Sequence, residues 1–154
     1  MPTEKMIDQN CVWLDFKPPD KDEALKELCR FAASRIGLNE KAVLTVVSDR
    51  EKLGSTAVGR GLAIPHGKTS LVDGVHIFFA RTLPGLDLDF DSPDGEPIRL
   101  LVLVLSPQQF HSDHLKILTT LGGIWKSTQN IDDLMAADDP QAFAATFAAL
   151  SGLQ

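Results

Sequence analysis

The run Ile98 to Leu105, IRLLVLVL, restricts the possible folds of this chain more than any other stretch. Arg99 is its one charged residue, and turn signals bracket it: Asp94-Gly95-Glu96-Pro97 before and Ser106-Pro107 after. A strand with one wet face alternates apolar and polar residues, whereas an unbroken apolar run belongs to a strand covered on both faces. Helices are the usual cover, so the rest of the chain must supply them. The 154 residues, 44% of them hydrophobic, are enough for one such core. One α/β domain over residues 1–154 is expected, with no internal repeat and no linker rich enough in Gly, Ser or Pro to divide it.

Helical patterns occur on both sides of that run. Asp20 precedes Glu23 by three residues, an Asp-led capping box, and Leu25, Leu28, Cys29, Ala32 and Ile36 keep helical spacing until Gly37. Asn39 opens a second helix carrying Ala42, Val43, Val46 and Val47, with Gly54 as its terminator. Downstream, Ser112 is placed to cap a helix with His114 in its first turn and Ile117, Leu118, Leu121 and Trp125 following. Asn130 and Asp139-Pro140 mark two further starts. The remaining extended stretches are Leu62–Ile64 and Val75–Ala80. In Leu86–Phe90 apolar residues alternate with acids, which predicts a solvent-edged strand ending in a Pro-Asp-Gly turn.

Several functions are excluded early. The net charge of −6 gives no basic footprint for nucleic acid, and the absence of Tyr removes one kind of base-stacking platform. No apolar run approaches the roughly 20 residues that span a bilayer. The polar, acid-bearing start MPTEKMIDQN is not a targeting segment, so a cytoplasmic location is expected. Cys11 and Cys29 lack metal-ligand spacing, and Cys29 falls on an apolar helix face, where a reduced packing role is expected. No phosphate-binding glycine loop, nucleophile elbow or metalloprotease motif is present, and no cofactor is expected.

The chemistry concentrates in STAVGRGLAIPHGK, Ser55 to Lys68. Pro65 fixes its own backbone and biases Ile64 to an extended form, so His66 is delivered in a defined direction. Gly67 carries no side chain beside it. A loop histidine among turn glycines is an equally simple reading of the local pattern. His114 reads either as a hydrogen-bonded core histidine or as an anion-binding group in a helix first turn. Arg50 is a candidate phosphate clamp or half of an exposed helix-end ion pair, and the hydroxyls of Ser55 and Thr56 read as ligands or as turn formers. His111 and His114 form an H-x-x-H pair, but zinc would need His66 or Asp113 brought in from elsewhere, so no metal is expected. His76, in an apolar strand, packs or reaches solvent.

Taken together these residues resemble the type-2 enzyme IIA domains of the bacterial sugar phosphotransferase system, the fructose, mannitol and nitrogen-regulatory group. Glu51 opens the family signature, Val58-Gly59 follows after six residues, and Leu62-Ala63-Ile64-Pro65-His66-Gly67 closes it. The likeness extends to KDEAL at Lys21, Arg50-Glu51, DGEP at Asp94 and HLKIL at His114. It implies a mixed β-sheet flanked by helices on both faces. It also implies that His66 is the phosphorylated nucleophile, with His114 (rather than His111) and Arg50 around the phosphoryl group. Thr56 would be a supporting hydroxyl, and Gly67 would leave room for the donor. The donor implied is the histidine-containing phosphocarrier protein or its nitrogen-branch paralogue. The acceptor is an enzyme IIB in a sugar branch, or a regulatory protein in the nitrogen branch. Two other classes compete: a regulatory binding module without phosphotransfer, and a metal-dependent hydrolase.

Overall fold

A computed structural model of the chain describes residues 7–109 and 111–152, without the side chains of His111 and Ser112. After a 3-10 turn at Gln9–Cys11, the chain runs through β1 (Val12–Trp13), α1 (Lys21–Ile36), α2 (Glu40–Lys52), β2 (Ala57–Gly59), β3 (Leu62–Ala63) and β4 (His66–Lys68). Then come β5 (His76–Leu86), β6 (Ile98–Ser106), α3 (His111–Trp125), α4 (Thr128–Met135) and α5 (Pro140–Ser151). Among the described residues, no helix is long and apolar enough to cross a membrane.

The apolar run forms β6, and its side chains divide between the two faces. Leu100, Val102 and Val104 pack with Ile117, Leu121 and Trp125 of α3, Leu134 of α4, and Phe143 and Phe147 of α5. Ile98, Leu101, Leu103 and Leu105 pack with Leu25, Leu28 and Cys29 of α1 and with Val43 and Val47 of α2. Each large apolar side chain so enclosed contributes about 1.5–3 kcal/mol relative to exposure. That burial is why the run lacks polar alternation.

The sheet order is β1-β5-β6-β3-β2, with β4 also on β6. β5 lies antiparallel to β6, and β1 lies parallel to β5. On the other edge of β6 two short parallel strands follow one another: Leu62 faces Leu100 in β3, and His66 faces Val104 in β4. Pro65 occupies the break between them, and its carbonyl accepts from Val104 N–H at 3.0 Å.

Three helix starts carry the expected caps. The Asp20 carboxylate accepts from Glu23 N–H, Asn39 Oδ1 from Lys41 and Ala42 N–H, and the Asp139 carboxylate from Ala142 N–H with Pro140 first in α5. Gly37 ends α1 in the left-handed region at φ 69°. Other expectations need correction. Ser127, not Asn130, caps α4; its hydroxyl accepts from Asn130 N–H at 3.2 Å. α3 begins at His111, so Ser112 lies inside the first turn instead of ahead of it; its side chain is outside the described residues. The strand expected over Leu86–Phe90 does not form. Asp89 and Asp91 adopt φ of 61° and 56°, which breaks the extended backbone. Leu88 and Phe90 are buried from a loop instead, in the core beneath α1 and α2.

Candidate functional site

His66 stands at the first position of β4, at the end of β6 from which the chain leaves for α3. Its Nδ1 lies 2.7 Å from the Ile64 carbonyl oxygen. A carbonyl only accepts, so Nδ1 carries the proton and Nε2 presents a lone pair. Arg50, in the last turn of α2, donates its Nε–H to that Nε2 at 3.2 Å and its Nη1–H to the Gly54 carbonyl at 3.0 Å. Burial pulls the His66 ring below its ordinary value of 6.5; the Ile64 contact opposes this and the Arg50 charge reinforces it. The neutral, nucleophilic form is therefore favoured.

His114 reaches the same place from the first turn of α3. Its ring centroid is 5.2 Å from that of His66, and it is buried. Its Nδ1 lies 2.7 Å from Ser106 Oγ at the end of β6. The sheet and two helix ends thus bring His66, Arg50 and His114 together. Two exposed leucines flank them in sequence: Leu53, three residues after Arg50 and 84% exposed, and Leu115, beside His114 and 61% exposed.

Thr56 and Gly67 are placed otherwise. The Thr56 hydroxyl donates to Glu51 Oε1 at 2.6 Å, and its N–H donates to Oε2 at 3.0 Å. Gly67 faces inward, and a Cβ there would lie 2.4 Å from Val46 Cγ1 of α2. Its missing side chain leaves room for a helix, not for a visitor from solvent. Gly61, at φ 82°, serves the β2–β3 turn, where a Cβ would meet the Pro97 carbonyl at 2.9 Å.

Among the described residues no group of three or more His, Cys, Asp or Glu could hold a metal ion, and the side chain of His111 falls outside them. His76 stacks on Phe78. Burial pushes the Cys29 thiol up to about 12, which leaves it inert as a nucleophile.

Two participants escaped sequence reasoning. Ser106 was legible only as the residue ending an apolar strand, although a lone hydroxyl at the edge of so apolar a run is itself a signal. Lys21 was legible only as a helix start, yet its Nζ pairs with Glu51 Oε2 at 3.0 Å.

Residues 5–149 match the model of the family described as phosphoenolpyruvate-dependent sugar phosphotransferase system, EIIA 2. The chain belongs to this EIIA family. Over 150 residues, 96% of this EIIA chain and 95% of the relative, it is 39% identical to a nitrogen regulatory protein of Bradyrhizobium diazoefficiens. It is 33% identical over 129 residues to the fructose-specific EIIA component of Haloferax volcanii, covering 83% and 82% of the two chains. The crystal structure of nitrogen regulatory protein IIA-Ntr from Neisseria meningitidis superposes with a TM-score of 0.85 at 29% identity, over 92% of this chain and 96% of that one. Mixed sheet, helical layers and family are thus as the sequence led one to expect.

Proposed function

We propose that this EIIA chain is a phosphocarrier that accepts a phosphoryl group on His66 Nε2 and passes it on. The observation that carries the reading is the commitment of Nδ1 to the Ile64 carbonyl, which leaves Nε2 as the only ring lone pair. That lone pair is released from the Arg50 Nε–H as the guanidinium turns to the incoming phosphoryl oxygens, and it attacks the phosphorus of a phosphohistidine on the donor protein. A new Nε2–P bond forms as the donor's N–P bond breaks, and the bonding electron pair returns to the donor imidazole. His66 keeps its Nδ1 proton throughout, so no base is needed. The transferred group is anionic, and the Arg50 guanidinium and the His114 ring are placed to share its charge. Neither grips it covalently, which suits a group that must leave again.

The donor in this reading is the cytoplasmic histidine-containing phosphocarrier protein or its nitrogen-branch counterpart. Leu53 and Leu115 would form part of a small apolar rim for transient docking. The acceptor is an enzyme IIB or a regulatory protein. A relative 39% identical over 96% of this chain is a nitrogen regulatory protein, which supports the regulatory side.

The test is labelling from phosphoenolpyruvate through the first enzyme of the system and the phosphocarrier. An acid-labile, base-stable phosphate is expected on the wild type and none on His66→Ala. Absence of label, or equal label on both, defeats the reading.

A further inference from the structure

Glu51 is a buried carboxylate, 5% exposed at its side chain, with three contacts. Its Oε1 accepts from the Thr56 hydroxyl and its Oε2 from Thr56 N–H, and Lys21 Nζ lies 3.0 Å from Oε2. Lys21 begins α1 and sits 4.7 Å above the Phe90 ring, so the cation is itself anchored. Burying a charge is costly unless it is paired and hydrogen-bonded, and a turn hydroxyl would cap Thr56 at less cost. What Glu51 supplies in addition becomes visible by following the backbone. The Thr56 carbonyl accepts from Ile64 N–H at 3.0 Å, and the Ile64 carbonyl accepts from His66 Nδ1–H at 2.7 Å. On its other side, Glu51 adjoins Arg50 in α2, whose Nε–H meets Nε2 of the same ring.

We propose that Glu51, braced by Lys21, is a positioning residue for the phosphoryl-accepting ring. It holds the Thr56–Ile64 backbone that orients Nδ1 and the helix end that presents Arg50 to Nε2. The proposal rests on the reading of His66 as the acceptor. The hydrogen bonds described at the two ring nitrogens both lead back to Glu51, one through the Thr56–Ile64 backbone and one through its neighbour Arg50, so a displacement there tilts the ring and its arginine together. An ionised carboxylate only accepts, which leaves the Thr56 carbonyl free for Ile64. Its negative charge also raises the His66 ring against the lowering effects of burial, Arg50 and Lys68.

The experiment follows the His66 ring nitrogens by long-range 1H–15N NMR, together with single-turnover transfer from the phosphorylated phosphocarrier. Wild-type His66 should show the Nδ1–H tautomer. Glu51→Gln should mix the tautomers, lower the ring's titration midpoint and slow transfer by about tenfold, as expected for small misplacement of a reacting group. Lys21→Met should move the tautomer ratio and the transfer rate the same way by less, without lowering the midpoint, and Lys21→Arg should restore them. Should Glu51→Gln fail to fold, Lys21→Met decides, because it cuts the brace at a residue whose side chain is 24% exposed. An unchanged tautomer and rate in the folded variants overturns the proposal. So does a rate loss that follows stability alone with the ring unaltered. The NMR arm needs no phosphoryl donor. A wild type that takes no label while its tautomer still follows Glu51 therefore defeats the phosphocarrier reading and supports the brace.

Discussion

Adding one methyl group at Gly67 would test what this glycine is for. The Cβ of Gly67→Ala would lie 2.4 Å from Val46 Cγ1. Carbon atoms rest comfortably at about 3.8 Å, so strand and helix must separate by about 1.4 Å if nothing else yields. Val46 cannot swing aside at low cost, because a β-branched side chain in a helix has one strongly preferred rotamer. Overpacking of this kind costs about 1–3 kcal/mol. Val46 lies one helical turn before Arg50, so the push also strains the 3.2 Å contact between Arg50 Nε and His66 Nε2. An error of about 1 Å at a reacting centre slows chemistry by up to about a hundredfold. The expected result is a lower urea midpoint together with slower single-turnover phosphoryl transfer. Val46→Ala in the same chain removes the offending Cγ1 and should return much of both, with a coupling of about 1–2 kcal/mol in the double-mutant cycle. If Gly67 instead serves as clearance for an incoming protein, stability stays at the wild-type level. Transfer from the small donor phosphoramidate also stays normal, and Val46→Ala rescues nothing. That pattern, or simple additivity of the two substitutions, would refute the packing argument.

Two further outcomes follow from groups already placed. Because His66 titrates below its ordinary 6.5, the unfolded chain binds a proton in a window where the folded ring does not. Stability should therefore fall as pH drops below 6.5 until the folded ring titrates too, and His66→Gln should flatten that part of a denaturation-midpoint profile; an equal slope in the variant counts against the assigned shift. Arg81, buried in β5, donates Nη1–H to the carbonyls of Leu134, Met135 and Ala137 at 3.2, 3.1 and 2.8 Å. Arg81→Met should lose about 2–3 kcal/mol in urea unfolding by leaving those acceptors unmet.

The parts of the fold that were legible in the sequence are those governed by local physics. Asp20, Asn39 and Asp139-Pro140 marked helix starts because a cap works within three residues of itself. The unbroken run of β6 announced two covered faces because burial leaves no polar alternation. Of the short strands only β3 was legible, within the extended stretch Leu62–Ile64. β2 and β4 are three residues each, too brief for any period, and Pro65 reads as a breaker although it only separates two partners of β6. Leu86 to Phe90 misled for the opposite reason, since a loop that dips Leu88 and Phe90 into the core copies the alternation of a strand. In the site, the histidine and arginine were visible as residue types. The engagements of Glu51 with Lys21, and of Ser106 with His114, depend on tertiary approach and leave no spacing to read.

If His66 carries the phosphoryl group as proposed, the tandem arrangement of β3 and β4 along β6 bears on how that state can be read. His66 is not carried on a pliant loop; its backbone is laced into the sheet opposite Val104, and its neighbour Gly67 is pressed against α2. A mount that stiff gives a modified imidazole little means of rearranging the chain behind it. The two forms of the protein would then present nearly the same contour, one of them bearing about two extra negative charges at a single point. A listener that tells them apart would have to sense voltage rather than shape, and its discrimination should fade as ionic strength rises.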